Sequence, residues 1–204
     1  MTALRHMATA FAVMLAATIT ASAAPDLVVK GDPRAWAEIQ DAFIKLFKLK
    51  SYRMKVSTAE GAITISFVPP DKTHTVVSQG GNSIESIRVG NESRVRQGGG
   101  PWQCLPAGAR MPQLGGEAKT DPSKIAGEVN ASKGPVVAVD GMQTQSYAYS
   151  HTAGGTTAQY RMFVGVTNGL PKRLQGLDGK GGVTSTIDYY DYDAPITITL
   201  PACA

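Results

Sequence analysis

The feature that most constrains the fold is a run of alternating apolar and polar side chains between Tyr52 and Cys104, divided by glycine-containing turns. Alternation with a period of two predicts strands with one buried and one solvated face. The segments between the turns predict five antiparallel strands: Tyr52 to Ser57, Ile63 to Phe67, Thr73 to Ser78, Ile84 to Val89 and Ser93 to Gln97. Strands of this length and spacing favour an antiparallel sandwich or barrel.

The amino terminus predicts a secretory signal. Arg5 and His6 precede an apolar run from Ala8 to Ala17, and Ala21-Ser22-Ala23 supplies the small residues of a cleavage site. The run is shorter than the roughly 20 residues that a membrane-spanning helix needs, and no cysteine follows it to carry a lipid anchor. We therefore expect residues 1–23 to be a signal peptide and residues 24–204 to form one exported domain.

The charge of the chain argues against nucleic-acid binding. The formal charge is +4, and it falls to +3 when Arg5 leaves with the signal. The remaining basic residues are scattered and have no aromatic stacking platform among them. We expect no nucleic-acid partner.

A single clear helix precedes the first strands. Asp32 suits the N-cap and Pro33 the first helical position. The apolar residues then recur at spacings of three and four: Trp36, Ile39, Phe43, Leu46 and Phe47. This stripe needs an apolar partner, and the strand face with Met54, Ile63, Ile65 and Phe67 is the expected one. The stripe is either ordinary core or the lid of a ligand cavity.

The second half of the chain predicts a loop, a short helix and further strands. Leu105 to Thr120 has no periodicity and predicts an irregular loop. Asp121-Pro122 predicts the start of a second short helix that carries Ile125 and Val129 and ends at Asn130 to Gly134. The strands expected after it are Val136 to Val139, Met142 to His151, Thr156 to Val166, Lys172 to Leu177 and Val183 to Tyr192. Together these elements predict an α+β fold, a long curled antiparallel sheet with helices on one side.

Cys104 and Cys203 are the two cysteines of the chain. In an oxidising compartment an even number of cysteines predicts a disulfide, and two cysteines allow one pairing. The alternative is a thiolate nucleophile, which needs a base such as His74 or His151 beside it in the fold.

Sites for metals and catalysis are not supported by the spacing of the polar residues. On a strand, Asp188 points to one face while Asp191 and Asp193 point to the other, so the three carboxylates do not converge on one ion. The zinc, nucleophile-elbow and phosphate-loop motifs are missing from the sequence. We expect no metal, no cofactor and no enzymatic activity; a hydrolase that uses His74 or His151 is the least favoured hypothesis.

Five short segments follow one another in a familiar order: Pro70 to His74, Glu85 to Gly90, Gly99 to Trp102, Asn168 to Arg173, and Tyr190 to Leu200 with Asp-Ala-Pro-Ile at its centre. Taken together, they resemble the LolA/LolB-like superfamily and in particular its LppX/LprG-type lipid carriers. The resemblance extends from about Asp32 to Cys203. It departs from the lipid-anchored relatives because the chain has no lipobox cysteine.

The resemblance implies a half-open, strongly curved antiparallel sheet, an incomplete barrel, wrapped around the long N-terminal helix. The apolar cavity would be lined by Trp36, Ile39, Phe43, Met54, Ile63, Ile65, Phe67, Tyr160 and Met162. The expected function is a soluble, monomeric periplasmic carrier of lipid or lipoprotein acyl chains, with membrane donor or acceptor proteins as further partners. The alternative is a lipid-responsive periplasmic regulator of the same fold that docks on a membrane partner.

Overall fold

The computed structural model describes residues 27–106 and 127–204. These ranges contain one helix, α1 (Pro33–Phe47), and twelve strands: β1 (Leu27–Gly31), β2 (Tyr52–Thr58), β3 (Gly61–Val68), β4 (Lys72–Gln79), β5 (Asn82–Val89), β6 (Glu92–Gln97), β7 (Gln103–Cys104), β8 (Gly127–Val139), β9 (Met142–Ala153), β10 (Thr156–Gly165), β11 (Pro171–Leu177) and β12 (Val183–Tyr190). The predicted signal peptide and nearly all of the predicted loop lie outside the described residues.

Helix α1 confirms the prediction from its capping residues. The Asp32 carboxylate accepts a hydrogen bond from the Arg34 backbone N–H at 2.9 Å, and Pro33 is the first helical residue. The apolar stripe is buried apart from the half-buried Phe47, with Ile39 and Leu46 among its least exposed members. Lys45 pairs with Asp41 one turn earlier at 2.7 Å on the solvated side.

The hydrogen-bonded strand order is β1-β8-β9-β10-β11-β12-β2-β3-β4-β5-β6-β7. The described chain divides into two compact units. Unit 1 holds residues 27–48 and 127–186, and unit 2 holds residues 49–106 and 187–204. The boundary falls within β12. The wrapping of the sheet around the helix stays a prediction.

Unit 1 is an antiparallel meander, β8 to β11, with one parallel addition. β1 pairs in parallel with β8 and lies at the end of the strand order, so the apolar residues near Leu27 form an edge strand. Helix α1 packs on the strands of this unit, and the ring of Trp36 lies 5.9 Å from the ring of Tyr149 on β9. The aromatic stripe thereby finds apolar partners within unit 1.

The prediction of a second helix is wrong for residues 127–134, the part of it that the structure describes. Val129 lies in β8, and the residues expected to end the helix, Asn130 to Gly134, continue the same strand. A register shift between Lys133 and Val136 lets the pairing with β9 run past Gly134 and Pro135, as a β-bulge does. Residues 121–126 lie outside the described residues.

Unit 2 is the predicted meander from β2 to β6, extended by the two-residue strand β7. The pairings are antiparallel and in direct register, with Tyr52 opposite Phe67, and Met54 opposite Ile65. All five predicted strands are confirmed in this unit. After β12 the chain continues as residues 191–204 without regular strand structure, a segment called here the C-terminal strap.

Candidate ligand-binding faces

Unit 1 brings together five of the predicted cavity residues. Trp36, Ile39 and Phe43 of α1 are all buried, as are Tyr160 and Met162 of β10. The ring of Tyr149 links the two groups, because it lies 5.9 Å from Trp36 and stacks on Tyr160 at 4.9 Å. These side chains form a packed cluster rich in aromatic rings.

A polar contact fixes the helix over this cluster. The Tyr147 hydroxyl donates to Glu38 of α1 at 2.5 Å, and Lys133 Nζ lies 2.7 Å from the same carboxylate. The hydrogen bond from Lys133, followed by that from Tyr147, lowers the pKa of Glu38, so the carboxylate stays ionised at neutral pH. Burial and the neighbouring Glu38 raise the pKa of Tyr147. The three groups tie α1 to β8 and β9.

Unit 2 contains the other four predicted residues on one face of its sheet. Met54, Ile63 and Ile65 are buried, and Phe67 is half-buried with its ring 5.3 Å from that of Tyr52. The register places all four on the same side as Tyr52. This side is called the Tyr52 face and the opposite side the Arg53 face. A single cavity lined by these four residues and the five of unit 1 stays a prediction.

The two faces of β2 to β6 differ sharply in charge. Following the register from strand to strand, the Arg53 face carries eight ionisable side chains: Arg53, Lys55, Lys72, His74, Glu85, Glu92, Arg94 and Arg96. The Tyr52 face of the same strands carries one charged side chain, Arg88. Strand alternation sends successive side chains to opposite faces but does not sort them by charge. The segregation of charge therefore comes from the particular order of residues in this sequence.

Ion pairs on the Arg53 face are arranged as a network. Glu85 Oε1 lies 2.7 Å from His74 Nε2, and its other oxygen accepts from Arg96 Nε at 2.6 Å. Burial alone would raise the pKa of Glu85, but the hydrogen bonds from Arg96 and His74 lower it below its ordinary value. The Arg96 guanidinium also lies 4.6 Å from the centre of the Trp102 ring, a cation–π contact. His74 is therefore part of a structural hydrogen-bond network centred on Glu85.

The C-terminal strap is attached to the Arg53 face near both of its ends. Near its start, Asp191 pairs with Arg53 at 2.5 Å, and the Asp193 carboxylate accepts from the Lys50 backbone N–H at 2.6 Å. At its other end Cys203 is bonded to Cys104, with the two Cα atoms 5.6 Å apart. Cys104 faces the same side as Arg94. The strap therefore spans the unit from β2 to β7, and the predicted disulfide is confirmed.

Two acidic residues, Asp191 and Asp193, lie at the start of this strap. Asp191 and Asp193 both adopt positive φ, at 52° and 54°, a conformation that aspartate tolerates better than most residues. Each carboxylate is used in a contact to the start of β2 or the residues before it. The strand pattern predicts wet edges for these acids and gives no sign of this anchoring role, because their partners lie more than a hundred positions earlier in the chain.

The described residues show no metal centre: residues 27–106 and 127–204 contain no group of three or more histidine, cysteine, aspartate or glutamate side chains that could hold an ion. His151 lies on β9 in unit 1, opposite Val129 and Ala158. Both cysteines are in the disulfide, so neither is available as a thiolate.

Within residues 27–106 and 127–204, no helix has the length and hydropathy to cross a membrane.

These features, an N-terminal amphipathic helix followed by a large and mainly antiparallel sheet, are those of an LppX-like fold. The solved structures that it resembles include the Mycobacterium tuberculosis lipoprotein LppX. That likeness has a TM-score of 0.60 at 14% identity and covers 83% of this chain and 100% of LppX. At this identity it shows the fold alone.

Two weaker likenesses carry no argument about this chain. One is to the Pseudomonas aeruginosa MucA/MucB complex, with a TM-score of 0.41 and 16% identity over 76% of this chain and 55% of that one. The other is to a LolA superfamily protein from Nitrosomonas europaea, with a TM-score of 0.33 and 13% identity over 78% of this chain and 92% of that one. No family model and no curated protein sequence matches the chain.

Proposed function

We propose that the protein is a periplasmic carrier that binds lipid or lipoprotein acyl chains against an apolar interior. The observation that carries the proposal is the segregation of charge in unit 2. Of the charged side chains on β2 to β6, all but Arg88 lie on the Arg53 face. The Tyr52 face is thereby left apolar at the buried Tyr52, Met54 and Ile65, as an interior that takes up hydrocarbon must be.

The energetics of such binding are favourable. Removing one methylene from water contributes about 0.8 kcal/mol, so a chain of about 16 carbons gains on the order of 10 kcal/mol before the entropy costs of binding. The predicted cavity residues, from Trp36 and Phe43 of α1 to Met54 and Phe67 of the meander, are the expected contacts. Transfer would require a membrane donor and acceptor, and no chemical step by the protein.

Lipid analysis of the purified protein tests this function. The full chain is produced with its own leader in a bacterial host, purified from the periplasmic fraction without detergent, and extracted for mass spectrometry. We expect stoichiometric lipid or acyl chains, and displacement of that lipid by a fluorescent fatty acid. Protein that carries no lipid and binds no fatty-acid probe would contradict the proposal.

A regulator that docks on a membrane protein is the second candidate, and the edge strand β1 favours it. β1 ends the strand order, and its Val28 and Val29 side chains are 54% and 38% exposed. An edge strand with exposed apolar residues can accept a further strand from a partner. Affinity purification from solubilised envelope, comparing the wild type with Val28→Lys, separates the candidates. If the protein is a regulator, the wild type should co-purify with a stoichiometric membrane protein and Val28→Lys should not. If it is a carrier, the wild type and the variant should both co-purify with lipid.

A further inference from the structure

We propose that Arg88 and the hydroxyl groups beside it bind the anionic headgroup of a lipid whose acyl chain lies on the apolar part of the same face. This inference rests on the proposed carrier function and adds the class of cargo: an amphiphile with a phosphate or phosphodiester headgroup. The site lies wholly on the Tyr52 face of unit 2.

The Tyr52 face changes polarity between β3 and β4. On β2 and β3 it presents Tyr52, Met54, Val56, Ile63, Ile65 and Phe67. On β4 to β6 it presents Thr73, Thr75, Ser86, Arg88 and Ser93, with Val77, Ile84 and Val95 as the apolar members. The polar members of the second group are half-buried, so their side chains remain partly accessible. One continuous sheet face thus has an apolar part and a hydroxyl-rich part, the arrangement that an amphiphile requires.

One row of the sheet shows the change most clearly. Phe67, Thr73, Arg88 and Ser93 lie directly opposite one another on four neighbouring strands. Neighbouring strands are about 4.8 Å apart, so Arg88 lies about 10 Å from Phe67, two strands away. A headgroup held at Arg88 would place the start of an acyl chain beside Phe67.

The charge of Arg88 selects the headgroup. A guanidinium binds phosphate or carboxylate through paired hydrogen bonds, and a half-buried position strengthens such contacts because water screens them less. Thr73 and Ser93 flank Arg88 in the row and supply hydroxyl donors. The acidic side chains of β2 to β6, Glu85 and Glu92, point to the opposite face, so no carboxylate of these strands repels an anion on the Tyr52 face.

The other arginines of β2 to β6 lie on the Arg53 face. Arg53 pairs with Asp191, Arg94 with Glu92, and Arg96 with Glu85. The first pair joins β2 to the strap, the second lies within β6, and the third joins β6 to β5. Arg88 is the cation of β2 to β6 that shares its face with the apolar surface, and this position distinguishes it as a headgroup ligand.

The test measures two single-chain lipids by titration calorimetry, below the concentrations at which they form micelles. Palmitoyl lysophosphatidylglycerol carries an anionic phosphodiester, and monopalmitoylglycerol has the same chain without charge. The delipidated full-length mature protein is compared with Arg88→Gln and with Lys55→Gln, the matched control on the Arg53 face. We expect Arg88→Gln to weaken binding of the anionic lipid by about tenfold, as loss of one charge-assisted contact should, and to leave binding of the neutral lipid unchanged. Lys55→Gln should change neither.

The possible results distinguish a failure of the Arg88 headgroup site from a failure of the carrier function. A wild type that binds neither lipid contradicts the carrier function and the inference with it. A wild type that binds both, with no selective loss in Arg88→Gln, leaves the function standing and overturns the headgroup site. Tight binding of inorganic phosphate alone, lost in Arg88→Gln, would overturn the acyl part of the inference. If Arg88→Gln does not fold, Arg88→Lys serves instead: a smaller selective loss is expected, and its absence overturns the site.

Discussion

Cys203 is bonded to Cys104, a residue 99 positions earlier in the chain, and their Cα atoms are 5.6 Å apart. The bond closes the end of the C-terminal strap on β7, while Asp191 holds the start of the strap at Arg53 on β2. The strap is therefore secured at both ends across the same face of unit 2.

The disulfide should account for a large share of the stability. Crosslinking a loop of about 100 residues restricts the unfolded chain and contributes about 4 to 5 kcal/mol in the chain-entropy estimate, less any strain. We expect the double variant Cys104→Ser, Cys203→Ser to lose free energy of unfolding of that order in urea titrations. The wild type should be about 2 Da lighter than its reduced form by mass spectrometry. Free alkylation of both thiols in the native protein would contradict this.

The aromatic cluster of unit 1 should respond to a cavity. Met162 on β10 is fully buried, and its neighbour Arg161 points to the opposite face and is exposed. Met162→Ala removes packed methylenes and should cost about 2 to 5 kcal/mol of unfolding free energy, whereas Arg161→Ala should cost under about 0.5 kcal/mol. Chemical denaturation followed by circular dichroism measures both. Equal effects of the two substitutions would show that this cluster is loosely packed.

Phe67 should contribute directly to acyl binding. Its half-buried ring lies on the Tyr52 face beside Tyr52, and Val68 lies on the other face of the same strand. Phe67→Ala should weaken binding of a fluorescent fatty acid by about 1 to 2 kcal/mol, because part of the contact surface for the chain is lost. Val68→Ala should leave the affinity unchanged. A probe that binds both variants as tightly as the wild type would place the acyl site elsewhere.

The Glu85 network should make stability depend on pH. Because the folded pKa of Glu85 lies below its ordinary value of 4.5, its contribution to stability is present above that value. The contribution is lost as the pH falls through the folded pKa. Glu85→Gln should therefore cost about 1 kcal/mol near pH 7, and the difference from the wild type should shrink towards about pH 3.

Glu60, in the turn before β3, provides the control for this measurement. Its side chain is exposed to solvent, so Glu60→Gln should track the wild type at both pH values. Urea titrations at the two pH values give the free energies of unfolding. A Glu85→Gln deficit that grows on acidification would show that the network does not favour the ionised carboxylate.

Much of the fold could be predicted from the sequence because local chemistry and tertiary packing agree. Asp32, Pro33 and the spacing of Trp36, Ile39 and Phe43 are sufficient to define α1. The alternation in β2 to β6 likewise gives the faces of the strands, and it already groups Arg88 with Ile84 and Ser86. The segregation of charge is less evident, because it emerges only when the register relates the faces of all five strands.

The second helix shows where local signals fail. Asp121-Pro122 and the apolar Ile125 and Val129 favour a helix start, while Gly134-Pro135 favours a break. In the structure, pairing with β9 on one side and β1 on the other keeps residues 127–139 extended, and a bulge accommodates the proline. Long-range pairing of this kind leaves no trace in a local window. The anchoring of the start of the strap is hidden from the sequence for the same reason, since Asp191 and Asp193 contact residues more than a hundred positions earlier.

The bond between Cys104 and Cys203 also makes a covalent ring out of the chain from β7 to the end of the strap, and that ring contains β8 to β12. A protease that cuts once anywhere inside the ring opens it without releasing a fragment. Nicked protein would keep its full mass until a reductant is added, so an intact band on a non-reducing gel gives no proof of an uncut chain.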